Sequence, residues 1–266
     1  MTDVAPGVAL VTGAARSIGA ATVLALARSG WRVLAVDVGA DDPALPYSLG
    51  TRDELDAVVK EAGGPASVMS YICDVRDEAA LGQAVDVAER TWGGLDAAVA
   101  VAGVIAGGVP LWEMPAPQLR SVLDVDLGGV VSLARVAIPA LLRRPEPRSG
   151  RFLAVASAAA TRGMPGLAAY SAAKAAVAGL VRGLAVDLRG TGVTANAVSP
   201  GSTATPILDE SARLYGLGSA QEFANQQPLE RLLEPAEIAA ALVWLAGPEA
   251  SGLTGAVVPV DAGLAL

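Results

Sequence analysis

Near its start the chain reads Val8-Ala-Leu-Val-Thr12-Gly13-Ala-Ala-Arg16-Ser17-Ile18-Gly19. An apolar run typical of a buried strand passes through small residues into a helical pattern that begins at Ile18. Small residues at such a turn let backbone amides and the N-terminus of a helix approach a pyrophosphate. The stretch does not match G-x-G-x-x-G, so an ordinary tight turn between strand and helix stays open as the alternative.

The same alternation of apolar runs and helical patterns continues along the whole chain. The runs are continuously apolar rather than alternating, which is typical of parallel strands covered on both faces. With no break in composition, this order predicts an α/β fold, a doubly wound seven-stranded parallel sheet of the Rossmann type with helices on both faces, in one domain over residues 1–266. The predicted strands are Val8–Val11, Trp31–Asp37, Val68–Ile72, Ala97–Val101, Arg151–Ala156, Thr194–Val198 and Ala256–Val260.

Helical patterns fill the intervals between these runs. A capping box is predicted at Thr51-Arg-Asp-Glu54, and Pro235 fits the first turn of the last helix. The Pro- and Arg-rich segment Arg143–Ser149 is predicted to be a surface loop before the fifth strand. The predicted helices are Ile18–Ser29, Glu78–Thr91, Pro117–Leu141, Tyr170–Leu188 and Ala236–Leu245.

The composition of the chain excludes several kinds of site. Histidine is absent, which rules out Ser-His-Asp and Cys-His catalysis and every histidine-based metal site. The formal net charge of −8 leaves no basic face for nucleic acid. We therefore expect neither a metal nor a nucleic-acid partner.

The expected location is the cytoplasm. The single cysteine, Cys73, allows no internal disulfide, as is usual in a reducing compartment, and is expected to be a buried, inert thiol. We expect no signal peptide or transit sequence at the start of the chain. The longest apolar stretch, Ala97 to Trp112, is 16 residues long and is broken by glycine and proline, whereas a membrane span needs ~20 residues. It is predicted to be a buried strand followed by a loop, with no membrane partner.

A tyrosine and a lysine four residues apart, Tyr170 and Lys174, suggest acid/base chemistry. The chain contains two lysines against seventeen arginines, and it keeps lysine at this position. A spacing of four places both side chains on one face of a helix. An ammonium group beside a phenol favours the phenolate and lowers a pKa that is ordinarily ~10. The alternative is a chance pair on a solvated helix.

Polar residues at the ends of the first strands are candidates for cofactor contacts. Asp37 ends the second strand, and a carboxylate at this distance from Gly13 can accept the hydroxyls of an adenosine ribose and repel a 2′-phosphate. It is otherwise a solvated strand end or a cap. Arg16 favours a phosphate instead, but the direct position of Asp37 favours NAD. Asp74 follows the third strand and either accepts from an adenine amino group or caps the helix that begins near Asp77.

Further candidates follow the later strands. Ala102-Gly103 ends the fourth strand with no side chain to block a ribose. Ser157 ends the fifth strand, where its hydroxyl either binds a substrate oxygen or satisfies backbone groups. The sixth strand runs into Pro200-Gly201-Ser-Thr203-Ala-Thr205, where a turn brings hydroxyls that can hold a carboxamide.

Taken in order, these residues resemble the short-chain dehydrogenase/reductase family of compact, single-domain type. The resemblance covers essentially the whole chain, and the ordered set of motifs is far more specific than any one of them. The set also includes a late Thr254-Gly255 and Val260-Asp261-Ala262-Gly263.

The resemblance implies a role for each matching residue. Tyr170 is implied to be the general acid/base, Lys174 to hold the nicotinamide ribose and lower the tyrosine pKa, and Ser157 to orient the substrate oxygen. A homotetramer built on the two long helices is implied. The implied NAD-binding residues are Gly13, Arg16, Ser17, Ile18, Gly19, Asp37, Asp74, Val75, Ala102, Gly103, Tyr170, Lys174, Pro200, Gly201, Thr203 and Thr205.

Three positions depart from the family pattern. The middle glycine of the first loop is Ser17, which is expected to crowd the pyrophosphate. The usual Asn-Asn-Ala-Gly is Ala100-Val101-Ala102-Gly103, which removes polar support from the centre of the sheet. The fourth catalytic position of the family, an asparagine, falls on Asp126. An aspartate keeps the backbone carbonyl that supports a water relay, but it adds a negative charge near Lys174.

The expected reaction is hydride transfer between NAD and a small or medium apolar secondary alcohol or ketone. The segment after Pro206 is apolar and interrupted by glycine, so it is predicted to be a mobile lid, about residues 205–230, over a hydrophobic substrate. A surface helix with a packed apolar stripe is the alternative. Ile105, Met164 and Leu167 also favour an apolar substrate rather than a sugar.

The long segment between Asp37 and Glu54 is similar to the mycofactocin-dependent subgroup of this family. In that subgroup an extended loop is thought to trap NAD, so that an external redox carrier, mycofactocin, must reoxidise it. The alternatives are an ordinary NAD(P)-dependent carbonyl reductase with a freely exchanging cofactor, or a non-catalytic NAD-binding sensor or scaffold.

Overall fold

A computed structural model of the chain describes residues 7–266. Within them, seven parallel strands form one sheet with helices on both faces, which confirms the predicted doubly wound α/β architecture. Each strand boundary lies within two residues of the predicted one. The strands are β1 (Val8–Thr12), β2 (Arg32–Asp37), β3 (Val68–Ile72), β4 (Ala97–Ala100), β5 (Arg151–Val155), β6 (Thr194–Pro200) and β7 (Val257–Val260).

The order of the strands positions the functional site. It is β3-β2-β1-β4-β5-β6-β7, so the direction of winding reverses between β1 and β4. Ligands of open parallel sheets bind beyond the carboxyl ends of the strands at such a point. Thr12 joins the two strands there, because its Oγ1 accepts hydrogen bonds from the backbone N–H groups of Val101 (3.2 Å) and Ala102 (3.3 Å).

The helices also follow the sequence patterns closely. The predicted capping box is present at Thr51 and Glu54, and Pro235 occupies the first turn of the last helix, so both predictions are confirmed. In the described part of the chain the α-helices are α1 (Ser17–Arg28), α2 (Arg52–Glu61), α3 (Glu78–Trp92), α4 (Ala116–Leu123), α5 (Gly129–Arg143), α6 (Ala168–Asp187), α7 (Pro206–Leu214) and α8 (Pro235–Ala246).

The prediction of one continuous helix over Pro117–Leu141 is wrong in its middle. A π-helical turn, Asp124–Gly128, separates α4 from α5. Two adjacent glycines, Gly128 and Gly129, weaken regular helix here. Gly129 also passes so close to Val75 that an added Cβ would lie 2.6 Å from its Cγ2. Single π turns are often found at functional sites, and this one carries Asp126.

Two apolar layers hold the sheet between the helices. Helices α3 to α6 pack on one face, and α1, α2 and α8 pack on the other. The continuous segment Ala116–Arg143 is long and apolar enough to cross a membrane by length and composition alone. Half of its most apolar window is buried inside the protein, as is expected of a helix that covers a sheet.

The segment predicted to be a lid leaves the sheet after β6. It contains α7 and a 3-10 helix, Ala220–Gln226. Two backbone hydrogen bonds close its stem, from Ala204 N to Leu233 O (2.8 Å) and from Leu233 N to Ser202 O (2.9 Å). Residues 204–232 therefore form an excursion with a fixed base; that this excursion moves as a lid stays a prediction.

Candidate active site

A cavity of about 650 Å³ runs along the carboxyl ends of the strands. Cofactor and small-molecule sites ordinarily have volumes of roughly 300–1,000 Å³. Asp126 lies behind the cavity wall and is fully buried. The other sequence-predicted site residues all line the cavity, namely Gly13, Arg16, Ser17, Ile18, Gly19, Asp37, Asp74, Val75, Ala102, Gly103, Ser157, Tyr170, Lys174, Pro200, Gly201, Thr203 and Thr205.

The glycine loop leaves the N-terminus of α1 open toward this cavity. Gly13 has a φ of 67°, and an added Cβ would lie 2.7 Å from the backbone N of Ala102, so only glycine fits between the two strands. Ser17, which stands where the family has glycine, adopts a φ of 55°, the left-handed region that glycine favours. No side chain caps α1 and no acidic residue lies in its first turn. Its free N–H groups are therefore available to an anion.

Asp37 is held at the end of β2 with its carboxylate beside the glycine loop. Its Oδ2 accepts a hydrogen bond from Ala15 N (2.9 Å) and its Oδ1 accepts a longer one from Gly39 N (3.4 Å). The residue is buried, yet each oxygen keeps lone pairs for a further donor. An added Cβ on Gly50 would lie 3.1 Å from Oδ1, so the chain stays close above this carboxylate.

Asp74 forms an ion pair instead of capping a helix. Asp77 caps α3, because its carboxylate accepts from Ala80 N (3.0 Å), and the alternative cap by Asp74 is therefore wrong. The Arg76 side chain donates to both Asp74 oxygens and to Asp42 Oδ2 at 2.9 Å. An adenine amino group would have to share the Asp74 carboxylate with this guanidinium.

Ser157, Tyr170 and Lys174 converge at the far end of the cavity. Ser157 follows β5, where it accepts a hydrogen bond from Ala159 N (3.1 Å), and its hydroxyl lies near enough to the Tyr170 phenol to lower the pKa of that phenol. The Lys174 Nζ lies one helical turn further along α6, 5.7 Å from the centroid of the Tyr170 ring. It donates to Val155 O (3.2 Å). The chain thus brings a hydroxyl, a phenol and an ammonium group together.

Asp126 stands behind this cluster as a buried carboxylate. Its Oδ1 accepts from Val104 N (2.8 Å) and lies 4.0 Å from Lys174 Nζ. Its Oδ2 has no hydrogen-bond partner among residues 7–266. Burial raises the pKa of Asp126 to about 6, against the opposing effects of Lys174 and the Val104 amide. The predicted negative charge near Lys174 is thus only partly stabilised.

The pKa of Tyr170 is raised above its ordinary value of 10.0 rather than lowered. Burial is the largest cause and the Asp126 charge is the second, while the nearby Ser157 hydroxyl acts in the opposite direction. Lys174 does not offset them in the cofactor-free protein. The expected lowering of the tyrosine pKa is therefore wrong for the protein without its cofactor, because burial and the Asp126 charge raise this pKa.

Gln227 supports the turn after β6 and was missed by the sequence reasoning. Its Oε1 accepts from Ser202 N (2.7 Å), while its Nε2 donates to Ser202 O (3.3 Å) and Arg231 O (2.6 Å). The side chain is buried. It thus fixes the backbone just after Pro200-Gly201, and no local pattern in the sequence signals this long-range contact.

The loop between β2 and α2, residues 38–50, crosses the cavity and is called the strap below. Arg16 Nη2 donates to Ser48 O (2.7 Å) at one side. Tyr47 Oη accepts from Ile105 N (2.8 Å) at the other side. Burial, and then the charges of Asp126 and Glu210, raises the pKa of Tyr47 above its ordinary value. Sequence reasoning singled out the length of this loop but missed Tyr47.

Substituting Asp126→Asn is expected to flatten the dependence of stability on pH. The unfolded pKa of 3.8 rises to about 6 on folding. The wild-type carboxyl therefore favours the folded state at low pH and disfavours it as the pH rises through 6. The full loss of folding free energy caused by this pKa shift is about 3 kcal/mol, at ~1.36 kcal/mol per pKa unit. Roughly half of this loss occurs between pH 5 and pH 8. Urea denaturation of the wild-type protein and the variant, both without cofactor, at pH 5 and pH 8 measures this change in stability.

The same variant also tests whether position 126 acts on the tyrosine. Removing the charge lowers the pKa of Tyr170, so the rising limb of the pH profile for alcohol oxidation shifts to lower pH. We expect activity to survive, because Asn keeps both the backbone carbonyl and an oxygen for Val104. An unchanged pH profile would mean that Asp126 does not influence the proton on Tyr170.

Comparisons with known proteins agree with this geometry over the whole chain. A family model described as enoyl-(acyl carrier protein) reductase matches residues 13–265. The chain is 35% identical over 273 residues to (-)-trans-carveol dehydrogenase of Rhodococcus erythropolis, which covers 97% of both chains. It is 36% identical over 260 residues to cis-4-hydroxycyclohexanecarboxylate dehydrogenase of Sinomonas cyclohexanicum, which covers 96% of this chain and 95% of the relative.

A solved structure extends the similarity to three dimensions. The short-chain dehydrogenase from Mycobacterium paratuberculosis, solved bound to NAD, superposes with a TM-score of 0.86 at 29% identity. The superposition covers 97% of each chain.

Proposed function

Because the chain belongs to the short-chain dehydrogenase/reductase family, we propose that it is an NAD-dependent oxidoreductase that transfers a hydride between the cofactor and an apolar secondary alcohol or ketone. The observation that carries the proposal is the convergence of Ser157, Tyr170 and Lys174 on one cavity at the carboxyl ends of the strands. These three side chains supply the hydrogen bond, the proton and the positive charge that an alcohol–ketone interconversion requires.

The residues of the first half of the cavity fit an adenine dinucleotide. The uncapped N-terminus of α1 offers unpaired amides to a pyrophosphate. Asp37 presents a buried carboxylate to ribose hydroxyls and repels a 2′-phosphate, which favours NAD over NADP. Arg16, the cation that would favour a phosphate, is already engaged with Ser48 O. When bound, NAD supplies the nicotinamide carbon that exchanges a hydride with the substrate.

The proton is handled by the chain's own residues. In alcohol oxidation Tyr170 removes the hydroxyl proton of the substrate, and in ketone reduction it returns that proton to the carbonyl oxygen. Ser157 donates a hydrogen bond to the same oxygen and fixes its position. Lys174 holds a ribose hydroxyl and adds positive charge beside the phenol. Pro200, Gly201 and the hydroxyls that follow are proposed to hold the carboxamide.

The second half of the cavity favours apolar substrates. Two relatives act, by their names, on cyclic secondary alcohols, carveol and a hydroxycyclohexanecarboxylate. The excursion that we propose to be the lid contributes a large share of the apolar wall. The apolar lining residues are Ile105, Met164, Leu167, Ile207, Leu208, Tyr215, Leu217, Phe223 and Leu264.

A panel of secondary alcohols tests the proposal. The purified protein is mixed with each alcohol and NAD, with NADP as the matched comparison, and reduced nicotinamide is followed by its absorbance. We expect turnover of apolar cyclic alcohols with NAD and a strong preference for NAD over NADP. Tight NAD binding without hydride transfer to any alcohol would instead support a non-catalytic sensor or scaffold.

A second proposal concerns how the cofactor is reoxidised. The strap is tied to the glycine loop through Arg16 and to the segment after β4 through Tyr47. Asp42 adds a third tie, because it accepts from Ser121 Oγ (2.8 Å). A strap held at three points supports the mycofactocin-dependent interpretation, in which NAD stays bound between turnovers and an external carrier takes the electrons.

Substituting Tyr47→Phe is expected to loosen the strap. Losing one neutral hydrogen bond corresponds to a change of about 2- to 10-fold in release rate. We expect the wild-type protein, purified without added cofactor, to retain NAD in native mass spectrometry and to reduce an artificial electron acceptor. The variant should release NAD faster, whereas Tyr71→Phe on β3 should not. A wild-type protein that holds no NAD but turns over freely added NAD would be an ordinary exchanging reductase.

Assembly and location complete the proposal. We propose a homotetramer built on α4–α5 and α6, where Val186 is 72% exposed and Leu123 is 36% exposed. Light scattering of the purified protein measures the subunit number. Cys73 is a free, buried thiol, as predicted. Burial raises the pKa of this thiol to about 11, which supports the prediction that it is inert. A lone unpaired thiol fits the cytoplasm, which we propose as the location.

A further inference from the structure

Arg162 is a cation in the wall of the substrate half of the cavity. It follows Ser157 by one 3-10 turn, and its backbone N donates to Ala158 O (2.9 Å). Its Nη1 donates to Leu264 O (2.8 Å), which leaves the remaining guanidinium donors unused. Among residues 7–266, no carboxylate lies within ion-pair distance of this guanidinium.

The other cations that line the cavity either lie beside carboxylates or belong to its cofactor half. Arg76 pairs with Asp74 and Asp42, and Lys174 lies beside Asp126. Arg16, like Arg162, donates one hydrogen bond to a backbone oxygen and has no ion pair among the described residues, but it lies beside the glycine loop in the cofactor half. Among the described lining residues, Arg162 is therefore the cation without an ion pair on the substrate side of Tyr170.

The negative charges of the cavity lie on the opposite side. The lining carboxylates are Asp37, Asp41, Asp42 and Asp74, all at strand ends or in the strap, around the cofactor half. The neighbours of Arg162 along the wall, Met164 and Leu264, are apolar. A chain with a net charge of −8 repels anions at long range, so an anionic ligand requires a local cation such as this one.

We propose that Arg162 binds a carboxylate carried by the substrate. The preferred substrates are then secondary alcohols or ketones in which an apolar skeleton separates the reacting carbon from a carboxylate. The guanidinium fork matches the two oxygens of that group. Arg162 is thus a specificity-determining residue, and the inference rests on the proposed dehydrogenase function.

Matched substrates separate this inference from a merely structural role. The probes are 4-hydroxycyclohexanecarboxylate and its methyl ester, assayed with NAD. We expect wild-type kcat/KM to favour the acid by about 10- to 100-fold, the size of a charge-assisted contact. Arg162→Met should remove this preference through KM, with the ester changed less than about twofold, and Arg162→Lys should keep part of it.

Controls keep each outcome decisive. Arg28→Met, which removes an exposed arginine at the end of α1, carries the same charge change and should leave the preference intact. If neither probe is turned over, cyclohexanecarboxylate and its ester are compared as inhibitors of the best neutral alcohol, and the same Arg162 dependence is expected in the inhibition constants.

Two failures are distinguishable. If Arg162→Met lowers activity on acid and ester equally, Arg162 only anchors the Leu264 segment and the inference is overturned, while the dehydrogenase function stands. If the wild-type protein transfers hydride from no alcohol at all, the proposed function itself fails.

Discussion

Replacing Tyr170 with phenylalanine is expected to lower kcat by about 10³- to 10⁴-fold, the upper part of the range for general acid/base catalysis. The phenol is the proposed acid and base, and the chain has no histidine to take its place. The hydroxyl of Ser157 remains, but its pKa is not suited to exchanging this proton. Steady-state rates with NAD and the best alcohol measure the loss.

Cofactor binding should survive this substitution. Phenylalanine keeps the ring that packs on the core beside Lys174, and it removes only the hydroxyl, so the dissociation constant for NAD should change by less than about threefold. Quenching of tryptophan fluorescence by NAD provides that measurement. Ser157→Ala is the informative companion, since it removes the hydroxyl that lowers the tyrosine pKa. The pH profile of alcohol oxidation by the Ser157→Ala variant should therefore shift to higher pH. Substantial turnover by the Phe variant would rule out Tyr170 as the proton donor.

The sheet was predictable because its signals are local. Each strand is a largely apolar run, and most of the intervals between runs carry a helical pattern that the sequence shows directly. Pairing preferences along the chain leave the order of the strands open, and only the resemblance to the family implies it. The site residues were likewise predictable where they follow strands directly, as Asp37 and Ser157 do, because the carboxyl ends of parallel strands meet at one edge.

The contacts that were missed join distant parts of the chain. Tyr47 and Ile105 are 58 residues apart, and Gln227 lies 25 residues from Ser202. Neither pair leaves a periodic pattern, since only the folded backbone brings the two groups together. The π turn at Asp126 was missed for a different reason, because the apolar periodicity of α4 and α5 passes through it almost unchanged.

The pKa of Tyr170 connects the departures from the family to the mechanism. Asparagine at position 126 would leave Lys174 as the only charge near the phenol, whereas Asp126 opposes it and raises the pKa. We expect the protonated phenol to be favoured over a wide pH range, which suits the proposed ketone reduction, because that direction requires the protonated phenol.

Lys174→Met is expected to abolish activity and to destabilise the protein by about 3–5 kcal/mol at pH 8, the usual cost of removing one partner of a buried charge pair. Lys174 is 3% exposed and Asp126 is fully buried. Without the ammonium group the pKa of Asp126 rises further above about 6, because Lys174 is what lowers it. A carboxyl whose pKa is raised in the folded state lowers the stability at pH values above that pKa and not below it. The stability lost in Lys174→Met should therefore be much smaller at pH 5. Urea denaturation at the two pH values measures this.

The double variant Lys174→Met with Asp126→Asn separates the two roles of the lysine. Stability at pH 8 should largely return, because the stranded carboxylate is gone, while activity and NAD affinity should stay low, because neither substitution restores a donor for the ribose. Lys174→Arg supplies the complementary result. Lys174 is buried beside Asp126, so the wider guanidinium should overpack this site at a cost of about 1–3 kcal/mol. Equal destabilisation of Lys174→Met at both pH values, with no recovery in the double variant, would show that the lysine acts through packing and that Asp126 is not its electrostatic partner.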